Sequence, residues 1–406
     1  MKSGIKVLTA CAAAVALLFS CNKDDNNFWD WMIPETEDTS TAAQVTGYVF
    51  YPALVPATDQ NVQQLKVPSG FGVSKFADSL GKPRILTVSP TGGVYFSDRQ
   101  AGTVTMLKDT NGDGKSDSKQ IVATIDNAHG LAIHNSKMYI AAIREVYAAD
   151  INTDGTLGQP QLITNALPDA GQHPNRTLAF GPDGLLYVSV GSTCNSCPEP
   201  NKLNATMVRM NPDGSNLTVF AKGLRNTIGF GWHPQSGELW GLDHGIDWLG
   251  DDDQKEEVNQ IKQNAVYGWP YIYGEGKYNP SDRPEGDTTY LQYLSMTTLP
   301  TLVYQAHSAP MQLAFYTGSA FPAEYRNDAF VAMRGSWNRS EPVGYKIVRV
   351  HFEGNTPVRI DDFLTGFLVN NNKAYFARPV GVAVHTDGSL LVSDDTNGII
   401  YRVARL

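Results

Sequence analysis

Nothing in this chain is built to meet a polyanion. No Lys/Arg-dense segment occurs, and 32 lysines and arginines face 41 aspartates and glutamates, for a formal net charge of −9. Phosphate binding needs clustered positive charge, so nucleic acid is not an expected partner. Beyond residue 21 no apolar stretch is long enough to cross a bilayer. Cysteine is scarce, with four residues in 406. Cys194 and Cys197 form a Cys-Asn-Ser-Cys pair that cannot enclose zinc alone. In an oxidising compartment it reads as a small disulfide stiffening a loop. Apolar residues are plentiful: 42% of the chain is hydrophobic and 10% aromatic, enough for a large core.

The first residues read as a targeting segment rather than as part of the fold. Lys2 and Lys6 precede an apolar and small-residue run, Val7 to Phe19, which ends in Leu18-Phe19-Ser20-Cys21. This is the pattern of a bacterial lipoprotein signal over residues 1–21, with acyl chains carried by Cys21. That places the protein in the cell envelope, on the periplasmic face of the outer membrane or on the cell surface. The lipid would be its only membrane anchor. Losing residues 1–21 removes two lysines and no acids, which moves the net charge from −9 to −11. Residues 22–60, rich in Asp, Glu, Thr and Asn, read as a flexible tether.

From residue 61 to 406 one unit recurs: an apolar strand, a polar turn and an alternating strand. Leu178-Ala-Phe-Gly-Pro-Asp-Gly-Leu-Leu-Tyr-Val-Ser189 is the clearest copy. Others run over 85–97, 131–140, 230–240 and 382–393, with a stretched one over 313–332. Asp-Gly and Asn/Ser-rich pairs between β-branched and aromatic alternations are hairpin chemistry. Six copies point to an all-β fold, a six-bladed β-propeller. An N-terminal strand at Phe71–Phe76 would pair beside Ile399–Val403 and close the last blade. The insert from Trp248 to about Pro300 reads as loop and short helix over one mouth.

A fold alone does not name a function, but four clusters of unusual residues stand out. Asp109, Asn111, Asp113 and Asp117 place oxygen side chains as at the start of a calcium loop, with Gln120 where a bidentate Glu belongs. The alternative is a hairpin turn rich in Asp and Gly. His173 and Arg176 precede the third hairpin, and Arg225 and Asn226 hold the same place in the fourth. Arg334 and Arg378 follow in the fifth and sixth. Arginines that converge on one channel either meet an anion there or pair with local acids and brace the ring.

Gly223-Leu-Arg-Asn226, followed by Gly245-Ile-Asp-Trp-Leu-Gly-Asp-Asp252 and Tyr267-Gly-Trp-Pro270, resembles the glucose/sorbosone dehydrogenase family. These are soluble quinoproteins that use pyrroloquinoline quinone (PQQ). Gly335-Ser-Trp-Asn-Arg339 resembles the sorbosone dehydrogenase branch. The resemblance implies oxidation of a sugar or sugar-derived alcohol or aldehyde, with electrons passed to an acceptor the sequence does not name. It implies His173 as general base, and Arg225, Asn226, Arg334 and Arg378 as cofactor-binding residues, with Arg176 beside them. Gly245 and Ile246 would hold a cofactor Ca2+ through their carbonyls. Two positions depart from the family pattern: Gln172 stands where an acid often precedes the base, and Ile246 where the soluble glucose dehydrogenases have Pro. Two rival readings are a calcium-dependent lactonase-like hydrolase and a non-catalytic glycan- or partner-binding propeller. In the second, Trp248, Trp269 and Trp337 would serve as sugar platforms.

Overall fold

The computed structural model describes residues 49–169 and 171–406. The leader, Cys21 and most of the segment read as a tether lie outside the described residues. No described helix is long and apolar enough to cross a membrane.

The chain is all-β, built on six four-stranded sheets. Five of them take their strands in chain order, the fourth with a two-stranded ribbon between its third and fourth strands. Their first two strands are the expected hairpins: Leu86–Val88 with Val94–Asp98, Gly130–His134 with Lys137–Ala141, and Thr177–Phe180 with Leu186–Val190. Next come Thr227–Trp232 with Leu239–Asp243 and Pro310–Phe315 with Ala329–Met333. The sixth sheet joins the two ends of the described chain. Pro379–Val384, Leu390–Asp394 and Ile399–Arg405 are completed by Phe71–Ala77, with Phe71 opposite Arg405 and Val73 opposite Val403. Among the described residues no sheet closes on itself.

Alternation explains why the sheets stack. Successive strand residues point to opposite faces. In Lys137–Ala141, Met138 and Ile140 pack against the first sheet, while Tyr139 and Ala141 pack against the third. In Ala329–Met333, Ala329, Val331 and Met333 face the fourth sheet, and Phe330 and Ala332 face the sixth. Each second strand is therefore buried on both sides. Apolar clusters fill every gap between successive sheets, and one joins Phe76, Leu391 and Ile400 of the sixth to Leu86, Val94 and Phe96 of the first. Burial of each such side chain contributes about 1.5–3 kcal/mol.

The first strands of the sheets lie side by side, start beside start. Gly130 sits against Arg176–Leu178, and Gly381 against Arg84 and Leu86. A Cβ at Gly381 would overlap the Arg84 carbonyl, so the close approach requires glycine. First strands of five sheets line a cavity of about 570 Å3. Gln312 links the first strand of the fifth sheet to those of the first and sixth: its side chain accepts from Leu86 N (2.9 Å) and Val382 N (3.2 Å) and donates to Leu86 O (2.7 Å).

Two expectations need correction. The segment after Trp248 is not all loop and helix. Glu256–Gln260 is the third strand of the fourth sheet, a two-stranded ribbon pairs Ile272–Tyr273 with Lys277–Tyr278, and the helix is Tyr290–Met296. Attachment to the sheets also begins before residue 61. Phe50 N donates to Trp337 O, and Ala53–Leu54 pairs in parallel with Ala374–Tyr375.

Candidate active site

Because the first strands start side by side, the residues just ahead of them gather at one end of the sheets. Arg84, His129, Arg176, Arg225 and Arg378 hold this place. Hydrogen bonds tie them from sheet to sheet. Ser393 Oγ donates to Arg84 O (2.6 Å), Ser97 Oγ to His129 O (2.7 Å), and His129 Nδ1 to Arg176 O (3.0 Å). Ser192 N donates to Arg225 O (2.8 Å), and His244 Nε2 to Pro310 O (2.5 Å).

His173 lies within this belt. Its Nδ1 is 3.1 Å from Ser192 O and 2.7 Å from Ser192 Oγ. A carbonyl only accepts, and the Ser192 hydroxyl gives its proton to Cys194 O (2.8 Å). Nδ1 therefore carries the hydrogen, and Nε2 keeps a lone pair that no described residue engages. Burial, then the charge of Arg225, lowers the His173 pKa to about 2. The ring is a neutral base at any physiological pH. Gly191 lies against both His173 and the Asn226 amide, which brings those two side chains over one backbone position.

Arg225 is held by the disulfide loop. Cys194 and Cys197 are bonded, as expected. Asn195 between them accepts from Arg225 Nε through its carbonyl (2.9 Å) and from Nη2 through Oδ1 (2.8 Å). Nη1 has no partner among the described residues, nor has the Asn226 side-chain amide. Burial lowers the Arg225 pKa, against the pull of Asp247, Asp243 and Glu256. Asp243 accepts from the Arg225 and Asn226 backbone N–H groups, 2.8 Å each.

Gly245 N donates to Glu256 Oε2 (3.1 Å) and Ile246 N to Gln254 Oε1 (2.5 Å). Neither residue's carbonyl accepts a hydrogen bond from a described residue. Two successive carbonyls left without a protein donor fit a hard, oxygen-seeking cation. Asp247, next in sequence, accepts from Asn338 (2.8 Å), and Trp248 meets Trp337 edge to face at 5.1 Å. The two loops singled out in the sequence thus meet. Trp269 is core, packed with Ile246, Leu249 and Tyr273.

Arg334 and Arg378 form a second group. Arg378 Nε donates to Arg334 O (3.1 Å) and Nη2 to Gly335 O, leaving Nη1 without a described partner. Arg334 pairs with Asp395 (3.1 Å), which Arg84 also reaches (2.6 Å). Burial would raise the Asp395 pKa, but Arg334 and Arg84 hold it below the ordinary value. No hydrogen bond joins this group to His173 among the described residues. The loop of His173 borders both, since Asn175 and Arg334 line the same cavity of about 730 Å3.

Two sequence assignments are corrected. Arg176 is fully buried, and its guanidinium donates to Ile143 O, His173 O and Pro168 O at 3.1, 2.9 and 3.2 Å. It positions the His173 loop and has no fork left for a cofactor. The carboxylates of Asp109, Asp113 and Asp117 accept from the loop's own groups, among them Gly112 N, Lys115 N and Thr110 N. Among the described residues no three His, Cys, Asp or Glu side chains gather as a metal site. The bland turn is what Asp109, Asn111, Asp113 and Asp117 make. The same absence leaves the lactonase-like reading without a carboxylate centre among these residues.

The sequence reading missed Ser192, Asn195, Asp243 and Asp395, which act through contacts distant in sequence. Arg84 carried a usable signal: it stands just ahead of a first strand, as Arg176, Arg225 and Arg378 do.

A family profile described as TrAA12-like matches residues 65–406. An uncharacterized protein of Borreliella burgdorferi is 30% identical over 377 residues, 88% of this chain and 96% of its own. A pyrroloquinoline quinone-dependent sugar dehydrogenase of Hypocrea jecorina is 25% identical over 424 residues, 89% of this chain and 91% of its own. Among solved structures, the calcium structure of Trichoderma reesei carbohydrate-active enzymes family AA12 aligns with TM-score 0.73 at 23% identity, over 88% of this chain and 98% of that one. The holo form of the pyranose dehydrogenase PQQ domain from Coprinopsis cinerea gives 0.72 at 22%, over 88% and 100%. At these identities the structural likeness establishes the fold.

Proposed function

We propose that this chain, which belongs to the TrAA12-like family, oxidises a sugar or sugar-derived alcohol or aldehyde with PQQ and Ca2+. The observation that carries this is the neutral His173, its Nε2 unengaged, set beside Arg225 and Asn226. Relatives described as PQQ-dependent sugar dehydrogenases support the same chemistry. In this reading the six sheets are the blades of a six-bladed propeller, closed where the sixth meets the first.

The residues fit the cofactor. Arg225, Asn226 and Arg378 keep donors without a described partner, and guanidinium forks suit carboxylates. Arg334 adds charge beside Arg378. Gly245 and Ile246 would hold the Ca2+ through their carbonyls. When bound, PQQ with Ca2+ would supply the two-electron acceptor for the substrate carbon. His173 Nε2 takes the hydroxyl proton, and Ser192 keeps the ring in the required tautomer. Arg176 fixes the loop that carries the base. The leader and Cys21 add an envelope setting, a lipid-anchored protein at the outer membrane, where an exported cofactor and sugars are within reach.

The test is reconstitution of the purified protein with Ca2+ and PQQ, followed by dye reduction over aldoses, sorbosone and polyols. Tight quinone binding with turnover that His173→Ala abolishes is expected. Absence of both binding and turnover across the panel would overturn the reading.

A further inference from the structure

The cavity between the first sheet and Arg334 carries charge, on Lys82, Arg84 and Arg99, that the proposed chemistry does not use. Lys82, Arg84, Arg99 and Arg334 line it together with one acid, Asp395; the other lining residues are Leu54, Gln100, Asn127, Asn175 and Thr396. Four cations against one anion leave a formal charge of +3, in a chain whose own net charge is −9. His129 borders the same arginines but is neutral, its pKa held far down by burial and then by Arg84.

Three groups here lack the partners that buried polar atoms normally have. Arg99 makes no hydrogen bond or ion pair with any described residue, and its Nε is buried. Arg84 reaches Asp395 through Nη1, but its Nε is buried and unpartnered. Asn175 Oδ1 is buried and unpartnered as well. Leaving such groups unmatched is costly, most of all for a guanidinium. A built cavity that retains them is shaped for something that arrives.

We propose that this cavity is a carboxylate subsite and that the substrate it admits is an acidic sugar, such as a uronic acid. The proposal rests on the sugar-oxidation reading above and deepens it. A carboxylate presents two coplanar acceptor oxygens, which match guanidinium forks. The amides of Asn127, Asn175 and Gln100 and the hydroxyl of Thr396 suit sugar hydroxyls. A volume of about 730 Å3 accommodates a sugar with its water. Asn175 is two residues from His173, so the anchor lies beside the base. A uronic acid carries its carboxylate away from the anomeric carbon. It can be gripped at one end while the other is oxidised.

The experiment uses the full chain. Calorimetry without quinone measures binding of D-glucuronate and of D-glucose to the wild type, Arg99→Gln and Arg99→Lys, with thermal melts to verify folding. Glucuronate is expected to bind at least about tenfold more tightly than glucose, weakening with added salt. Arg99→Gln should lower glucuronate affinity by about tenfold or more, and Arg99→Lys by less. A parallel PQQ titration separates the two sources of a carboxylate. If Arg99→Gln weakens quinone binding and leaves glucuronate unaffected, the cavity serves the cofactor and the proposal is overturned. Equal binding of glucose and glucuronate overturns it too. Arg99-dependent glucuronate binding, with no dye reduction on any sugar by the loaded protein, would uphold the subsite and remove the oxidation reading.

Discussion

Replacing Ser192 with alanine separates the orientation of His173 from its service as a base. In the wild type the His173 Nδ1 proton has two acceptors, Ser192 Oγ at 2.7 Å and Ser192 O at 3.1 Å. Alanine removes the first and leaves the second, so the tautomer survives and the ring is held less firmly. One neutral hydrogen bond is worth about 0.5–1.5 kcal/mol net, so kcat/KM should fall roughly 2- to 13-fold. His173→Ala removes the base itself and should cost roughly 10²–10⁴-fold. Steady-state dye reduction with the quinone- and calcium-loaded variants measures both, and melts show whether either change acts through folding. Comparable losses in Ser192→Ala and His173→Ala would put the hydroxyl in the proton path and refute the argument. So would an unchanged kcat/KM in Ser192→Ala.

Acid stability should report His173 directly. Folded, its pKa is about 2; unfolded, it returns to about 6.5. The unfolded chain therefore binds the extra proton, so this stability is complete above pH 6.5 and lost as pH falls toward 2. The slope reaches about 1.4 kcal/mol per pH unit, and urea melts of His173→Gln should show a shallower slope than wild type between pH 6.5 and 4.5. Glu257 works in the opposite sense: burial, then Asp243, pushes it up to about 8. Its contribution is complete below the unfolded value of about 4.5 and lost as pH rises toward 8. Glu257→Gln should gain on the order of 1–3 kcal/mol over wild type at pH 8 and nothing at pH 4, read by thermal melts. Asn259 Oδ1, buried without a partner, can accept from the new amide. Replacing Cys194 and Cys197 together by serine frees Asn195 from its short loop. About 2 kcal/mol of stability should go with it, and PQQ affinity should drop about tenfold as Arg225 loses its brace, measured by titration.

The hairpins were legible because each is a local object. Leu178–Ser189 contains both strands and the Pro-Asp-Gly turn that joins them, and alternation alone tells which residues are apolar on each side. The pairing of Phe71–Ala77 with Ile399–Arg405 was legible too, since the sixth repeat lacked a strand that the alternating segment at Phe71 could supply. The active-site residues were named through motif strings, and His173 and Arg225 do lie together. What the strings could not show is where a donor points. Arg176 and Arg225 look alike in sequence, each an arginine ahead of a first strand. Yet one is enclosed by three carbonyls, and the other meets Asn195 with a nitrogen left over. The Asp109 loop misled for the same reason, since composition cannot separate oxygens aimed at a cation from oxygens aimed at the loop's own amides. Ser192, Asp243 and Asp395 had no local signature, because their partners lie elsewhere in the chain.

The sixth sheet has a consequence for how the molecule is made. Its third strand, Ile399–Arg405, is synthesised long after its fourth, Phe71–Ala77, the first strand of that sheet to appear. Until Ile399–Arg405 arrives, Phe71–Ala77 lacks its partner strand. The apolar face of the first sheet that meets Phe76, Leu391 and Ile400 stays uncovered as well. Closing so long a loop is slow compared with forming the hairpins. An unfinished chain therefore displays a naked strand edge and a greasy face together, features that chaperones bind and proteases attack. Deletion of Ile399–Arg405 would leave the protein permanently in that state.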